Sequence, residues 1–185
     1  MEFAYNASLP IYQNRLEIIN AVQNNQVIIV AGETGCGKTT HAPLMCLEAL
    51  GANTKRIVCT QPRRIAAISL ARYVSTLVPE APETIGYKIR FRDTIKANTR
   101  ISFVTDGIVL AETTSDPLLK QYDCIIIDEA HERSINIDFL LGYMRWLLPK
   151  RPELYYFFRN ARHPSFFRAL QPCADHIHNR QDVSH

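Results

Sequence analysis

The sequence predicts an α/β fold of three layers, with helices on both faces of a mostly parallel sheet. Three observations predict it. Up to about Leu154, apolar runs of strand length alternate with segments whose apolar residues recur at helical spacing. One such run, residues 26–31, leads into Gly32-Glu33-Thr34-Gly35-Cys36-Gly37-Lys38-Thr39, which fits G-x-x-x-x-G-K-[ST]. Another, Cys124-Ile125-Ile126-Ile127, ends in the acidic pair Asp128-Glu129.

Each element follows from its residues. Leu16, Ile19 and Val22 give residues 15–23 one apolar helical face. Residues 26–31 form the first buried strand, and residues 38–50 the helix whose N-terminus faces the glycine-rich turn. Residues 56–60 read as a second strand and 63–77 as a second helix. Residues 85–91 and 101–104 are further strands, 122–128 the strand carrying the acidic pair, and 137–148 an amphipathic helix behind it. Right-handed crossovers bring all the strand ends to one edge, so the motifs converge there.

Composition bounds the rest. A chain of 185 residues, 46% hydrophobic and 21% charged, supports one substantial core, and its net charge of +3 says little by itself about partners. No apolar run reaches the roughly 20 residues that span a bilayer, and the N-terminus lacks the pattern of a secretory signal. Cys36, Cys46, Cys59, Cys124 and Cys173 have no C-x-x-C spacing, so reduced cysteines and a cytoplasmic location are expected.

The glycine-rich segment has the chemistry of a phosphate cradle. Gly32, Gly35 and Gly37 let backbone N–H groups close around an anion, and Glu33, Thr34 and Cys36 complete the turn, Cys36 as a small filler. Lys38 is expected at the β/γ-phosphates, Thr39 on Mg²⁺ and Thr40 near the α-phosphate. Asp128 is the candidate for the Mg²⁺ shell through water, and Glu129 for polarising the attacking water. The expected cofactors are ATP or another nucleoside triphosphate, with Mg²⁺.

The order of the remaining segments resembles the DEAH-box helicases of superfamily 2, and the wording is most similar to their long bacterial members. The resemblance runs from Leu9 to about Leu154 and rests on GETGCGKTT at 32–40, TQPRR at 60–64, TDG at 105–107 and DEAHER at 128–133. It implies the first RecA-like domain of a P-loop NTPase that couples nucleotide hydrolysis to RNA unwinding. It places Thr60, Gln61, Pro62, Arg63 and Arg64 on the RNA backbone, with the arginines as phosphate clamps. Thr105, Asp106 and Gly107 match the next RNA-contacting motif, where Asp106 could equally cap the following helix. Arg90, Phe91 and Arg92 match a hairpin between these motifs; an aromatic among cations suits single-stranded nucleic acid, and an edge-strand packing role is the other reading. His131 and Arg133 fall where the family couples the acidic motif to a second domain. Tyr73 stands where the family has an arginine that stacks on a base. Tyr73 or Arg72 would have to serve there.

The resemblance assigns residues 1–154 to the domain and leaves residues 155–185 as an aberrant tail. After Leu154 the family continues with a strand and Ser-Ala-Thr, which are absent as written. Codons for residues 158–163 can spell Ser-Ala-Thr-Leu-Asp in a shifted frame. In the same register residues 173–176 can hide Ala-Pro-Ile-Ile, and residues 180–185 Gly-Arg-Thr-Tyr-Pro. A single-nucleotide slip just after Leu154 is the expectation, with residues 159–185 poorly ordered and Tyr155 to Phe158 apolar enough for a final strand. His176 and His178 have no second ligand pair at metal spacing. The expected partner is single-stranded RNA, with DNA a further candidate, and no membrane. The family's second RecA-like domain is missing from these residues. The expected state is a monomer with little or no hydrolysis by itself, and a non-catalytic fragment or pseudogene product is the alternative.

Overall fold

The computed structural model describes residues 2–30, 35–130 and 134–159, the side chain of Arg159 excepted, and the backbone of Ala174–Ile177. Two helices open the chain, α1 (Pro10–Gln13) and α2 (Arg15–Asn24), followed by strand β1 (Val27–Val30) and helix α3 (Lys38–Leu50). Then come β2 (Ile57–Gln61), α4 (Arg64–Thr76), β3 (Ile85–Ile89), β4 (Arg92–Asp93), β5 (Ile101–Thr105) and α5 (Asp106–Ser115). The chain continues through β6 (Cys124–Ile127), α6 (Ile135–Leu147), β7 (Tyr155–Arg159) and β8 (Ala174–Ile177).

The strands form one sheet in the order β4-β3-β5-β2-β6-β7-β1-β8. Among the described residues only the β3–β4 pair is antiparallel. Because side chains alternate across a strand, every central strand feeds two cores. Ile28, Cys59, Phe103, Ile126 and Phe157 pack toward α1 to α4. Ile29, Val58, Val104, Ile125, Ile127, Tyr156 and Phe158 pack toward α5 and α6. This two-sided burial explains why the strands read as continuous apolar runs instead of alternating ones.

α3 has the expected bounds even though Pro43 lies inside it. A proline there removes one helical hydrogen bond. Ala42, Leu44, Met45 and Cys46 are wholly buried, and their packing outweighs the loss. The structure corrects one capping expectation. Thr105 holds the N-cap position of α5 and Asp106 is its first helical residue, where its charge complements the helix dipole. β7 is the strand allowed for by the apolar tail, one residue longer. It lies mid-sheet between β1 and β6, so the fold extends past the boundary set at 154. The backbone of β8 runs parallel to β1, a placement the sequence reading did not foresee.

Candidate nucleotide and nucleic-acid site

The phosphate-loop half is built on backbone geometry. Gly35 and Gly37 sit at φ +87° and +92°, the left-handed region where an L side chain is strained, and Gly37 is the N-cap of α3. A Cβ on Gly37 would also meet Leu9 Cδ1 at 2.8 Å and Ile11 Cγ2 at 3.0 Å, so the N-terminal segment packs against this turn. Lys38 opens α3 and is 4% exposed, with its ammonium donating to Cys36 Sγ at 3.1 Å. Thr39 and Thr40 are half-buried. The Thr40 hydroxyl donates to the Gly37 carbonyl at 3.1 Å and pairs with His41 Nδ1 at 2.8 Å. Gly32, Glu33 and Thr34 lie outside the described residues, as do His131 and Arg133.

The acidic half sits two strands away on the same edge. β6, β7 and β1 are adjacent and parallel, so the tips of β1 and β6 point the same way, about 10 Å apart at the usual strand spacing. Asp128 follows directly on β6 and is 1% exposed. Its Oδ2 accepts from Gln61 Nε2 at 2.6 Å, and its Oδ1 accepts from the Glu129 amide at 2.8 Å. Glu129 has φ +50°, a conformation that costs a non-glycine residue about 1 kcal/mol and turns the chain sharply at the strand tip.

Register explains the Gln61–Asp128 bond. Thr60 pairs with Ile127 across β2 and β6, so the next residues, Gln61 and Asp128, stand level. A buried carboxylate is costly without partners, and the Gln61 amide is one of them. Sequence spacing carried no signal for this bond, because it depends on which strands become neighbours.

Of the expected RNA-contacting residues, Thr60 and Gln61 are buried at the end of β2, whereas Arg63 and Arg64 are exposed and Pro62 half-exposed. The Thr60 hydroxyl has no hydrogen-bond partner among the described residues. Thr105 is half-buried, Asp106 buried and Gly107 exposed. Arg90 and Phe91 form the two-residue turn of the β3–β4 hairpin. Phe91 is 93% exposed at φ +68°, with the Arg90 guanidinium 4.9 Å from its ring centroid. That exposure removes the packing reading of Phe91. Tyr73 and Ile65 on α4 are also exposed.

The oxygen donors suit Mg²⁺, a hard cation that takes one or two carboxylates and otherwise phosphate oxygens and water. Thr39, Asp128 and Glu129 supply such donors. Among the described residues no group of three or more His, Cys, Asp and Glu side chains forms a cage that would hold a metal without a phosphate ligand. Among the same residues, no helix is long and apolar enough to cross a membrane.

Known proteins are similar to this chain in sequence. The DEAD/DEAH box helicase family model matches residues 12–145. The chain is 54% identical over 155 residues to the ATP-dependent RNA helicase HrpA of Escherichia coli, covering 83% of this chain and 12% of that protein. It is 55% identical over 145 residues to an HrpA homologue of Haemophilus influenzae, covering 78% of this chain and 11% of that protein. With the human probable ATP-dependent RNA helicase DHX34 it shares 45% identity over 149 residues, covering 80% of this chain and 13% of that protein. The chain thus spans about an eighth of the length of these relatives. By family match and identity together, the chain belongs to the DEAD/DEAH box helicases.

Proposed function

We propose that this chain is the ATP-binding domain of a DEAH-type ATP-dependent RNA helicase, which binds nucleotide and RNA weakly and turns over little by itself. The carrying observation is the placement of Lys38, at the buried start of α3, and Asp128, at the tip of β6, on one sheet edge with a single strand between them. The loop's backbone N–H groups and the Lys38 ammonium bind the β/γ-phosphates. Thr39 and Asp128 would hold Mg²⁺, and Glu129 would orient the attacking water. When bound, the ion neutralises charge on the phosphate oxygens. Arg63, Arg64, Arg90 and Phe91 give RNA an exposed cationic and aromatic surface beside the same edge. His131 would couple the acidic turn to a second domain.

Low turnover follows from the chemistry of phosphoryl transfer. An arginine completing the γ-phosphate site is worth roughly 10³–10⁵ in rate, and the family draws such groups from a second RecA-like domain. The reading of a non-catalytic binding fragment is favoured by one observation. The residues after β7 are Asn160-Ala161-Arg162, where the resemblance expects Ser-Ala-Thr. A single-nucleotide slip after Leu154 accounts for that sequence, and the gene's bases across codons 151–185 test it directly. Of the four cysteines among the described residues, three are buried and none is in a disulfide, which supports a reducing compartment such as the cytoplasm.

Titration with a fluorescent ATP analogue and Mg²⁺ tests the main reading. The chain should bind saturably, and Lys38→Ala should weaken binding by about 2–3 kcal/mol, the scale of a charged hydrogen bond. RNA added to the wild-type chain should leave hydrolysis near background. Absence of saturable binding, or an unchanged affinity in Lys38→Ala, overturns the nucleotide reading, and brisk RNA-stimulated turnover overturns the inactive one.

A further inference from the structure

The N-terminal arm, residues 3–11, has no part in the nucleotide chemistry above, yet its bonds converge on the phosphate loop. The Ile11 amide donates to the Cys36 carbonyl at 3.1 Å, inside the loop itself. Leu9 and Ile11 fill the space beside Gly37 that a Cβ would occupy. The Asn6 amide donates to His41 Nε2 at 3.1 Å. That bond uses the Nε2 lone pair, so the proton of a neutral ring sits on Nδ1 and is donated to Thr40 Oγ1 at 2.8 Å. The Thr40 hydroxyl then donates its own proton to the Gly37 carbonyl at 3.1 Å. Donors and acceptors match at every link.

The arm is itself anchored. The Ala4 amide donates to the Leu77 carbonyl at 2.8 Å, and the Tyr5 hydroxyl donates to Glu48 at 2.9 Å. Arg15 pairs with the same Glu48 and lies 5.2 Å over the Tyr5 ring. The Tyr5 ring also lies 5.8 Å from the His41 ring, centroid to centroid. The Asn6 side chain accepts from the Ser8 amide at 3.1 Å and from the Ser8 hydroxyl at 2.7 Å, which fixes the bend before Leu9. His41 is 0% exposed, so a buried imidazole joins a fixed strap to the first turn of α3.

We infer that the arm holds the phosphate loop in its binding shape through the relay Asn6–His41–Thr40–Gly37, making His41 a positioning residue for triphosphate binding. The consequence is that Thr40 is engaged by its own chain, supporting the turn from behind. The inference deepens the nucleotide-binding reading and rests on it, and its test separates the two.

Three variants split the relay. His41→Gln places an acceptor near the Nε2 position and gives up Thr40; His41→Asn keeps a donor near the Nδ1 position and gives up Asn6. Thr40→Val removes the hydroxyl at nearly constant volume. Two measurements are made on the whole chain: hydrogen exchange of the Ile11 and Thr40 amides, and affinity for a fluorescent ATP analogue with Mg²⁺. Each variant should speed exchange at these amides about tenfold and weaken affinity about tenfold, the scale of one lost hydrogen bond. Amides of β2 and β6 should be unchanged. Because His41→Gln and Thr40→Val break one relay, the double variant should be no worse than the worse single. Unchanged exchange, or additive losses in the double variant, overturns the relay. If His41→Gln fails to fold, Thr40→Val carries both measurements. If the wild-type chain binds no triphosphate, the nucleotide reading falls while the exchange data still decide the relay.

Discussion

The half of the sheet edge proposed to hold nucleotide and the half proposed to face RNA are built by opposite strategies. Around the phosphate loop and the acidic tip the polar groups are buried and hydrogen-bonded: Lys38, Asp128, Gln61 and His41 all lie within the fold. On the RNA side, Arg63, Arg64, Arg90 and Phe91 stand in solvent. The first half is preorganised, so its shape is tied to the stability of the domain. The second is exposed charge and an exposed ring, so it contributes little to folding, and on the proposed reading its binding depends on salt. The contrast teaches that one sheet edge can be rigid and buried along one part and open to solvent along another.

Three variants sharpen the contrast, beginning with the largest expected effect. Gln61→Leu removes the amide that donates to buried Asp128. It should destabilise the chain by about 2–3 kcal/mol, because a charged acceptor loses a partner inside the protein. Chemical denaturation with the slope held constant reads it. A loss below about 0.5 kcal/mol would mean that the buried half is not energetically coupled to the fold.

The paired change Arg63→Ala with Arg64→Ala should leave the unfolding midpoint unmoved. It should weaken binding to single-stranded RNA and lower the salt slope of log K by about 1.4, from about 0.7 per phosphate contact. Fluorescence anisotropy across a salt series measures this. An equal loss at all salt concentrations would show that the arginines act structurally.

The smallest effect belongs to Phe91. Phe91→Gly should stabilise the hairpin by about 1 kcal/mol, since glycine adopts φ +68° freely, while weakening RNA binding by about 1–3 kcal/mol through lost stacking. Opposite signs in the two measurements are the signature. Loss of stability would mean that the ring packs after all.

What could be read from the residues alone divides along similar lines. The central strands and α3 were legible because two-sided burial demands continuous apolar runs, and because the glycine-rich turn sits between a strand and a helix. α1 and β4 were not: four residues and two exposed residues carry no periodicity. The cap of α5 is not legible, since the motif does not distinguish Thr105 before the first turn from Asp106 within it. Phosphate-loop and acidic candidates can be named from spacing, whereas the Gln61 bond and the His41 contacts cannot. Gln61 and Asp128 are joined by the β2–β6 register, and Asn6 and His41 by the path of the arm. Such pairings exist only in three dimensions.

β7 gives the edge a further property. The gap between the loop that follows β1 and the acid that follows β6 is two interstrand repeats of main-chain hydrogen bonding, with Tyr155–Arg159 as the spacer. Backbone geometry therefore acts as a ruler whose length does not depend on which side chains the spacer carries. Almost any strand-forming five-residue segment could fill that slot and preserve the gauge.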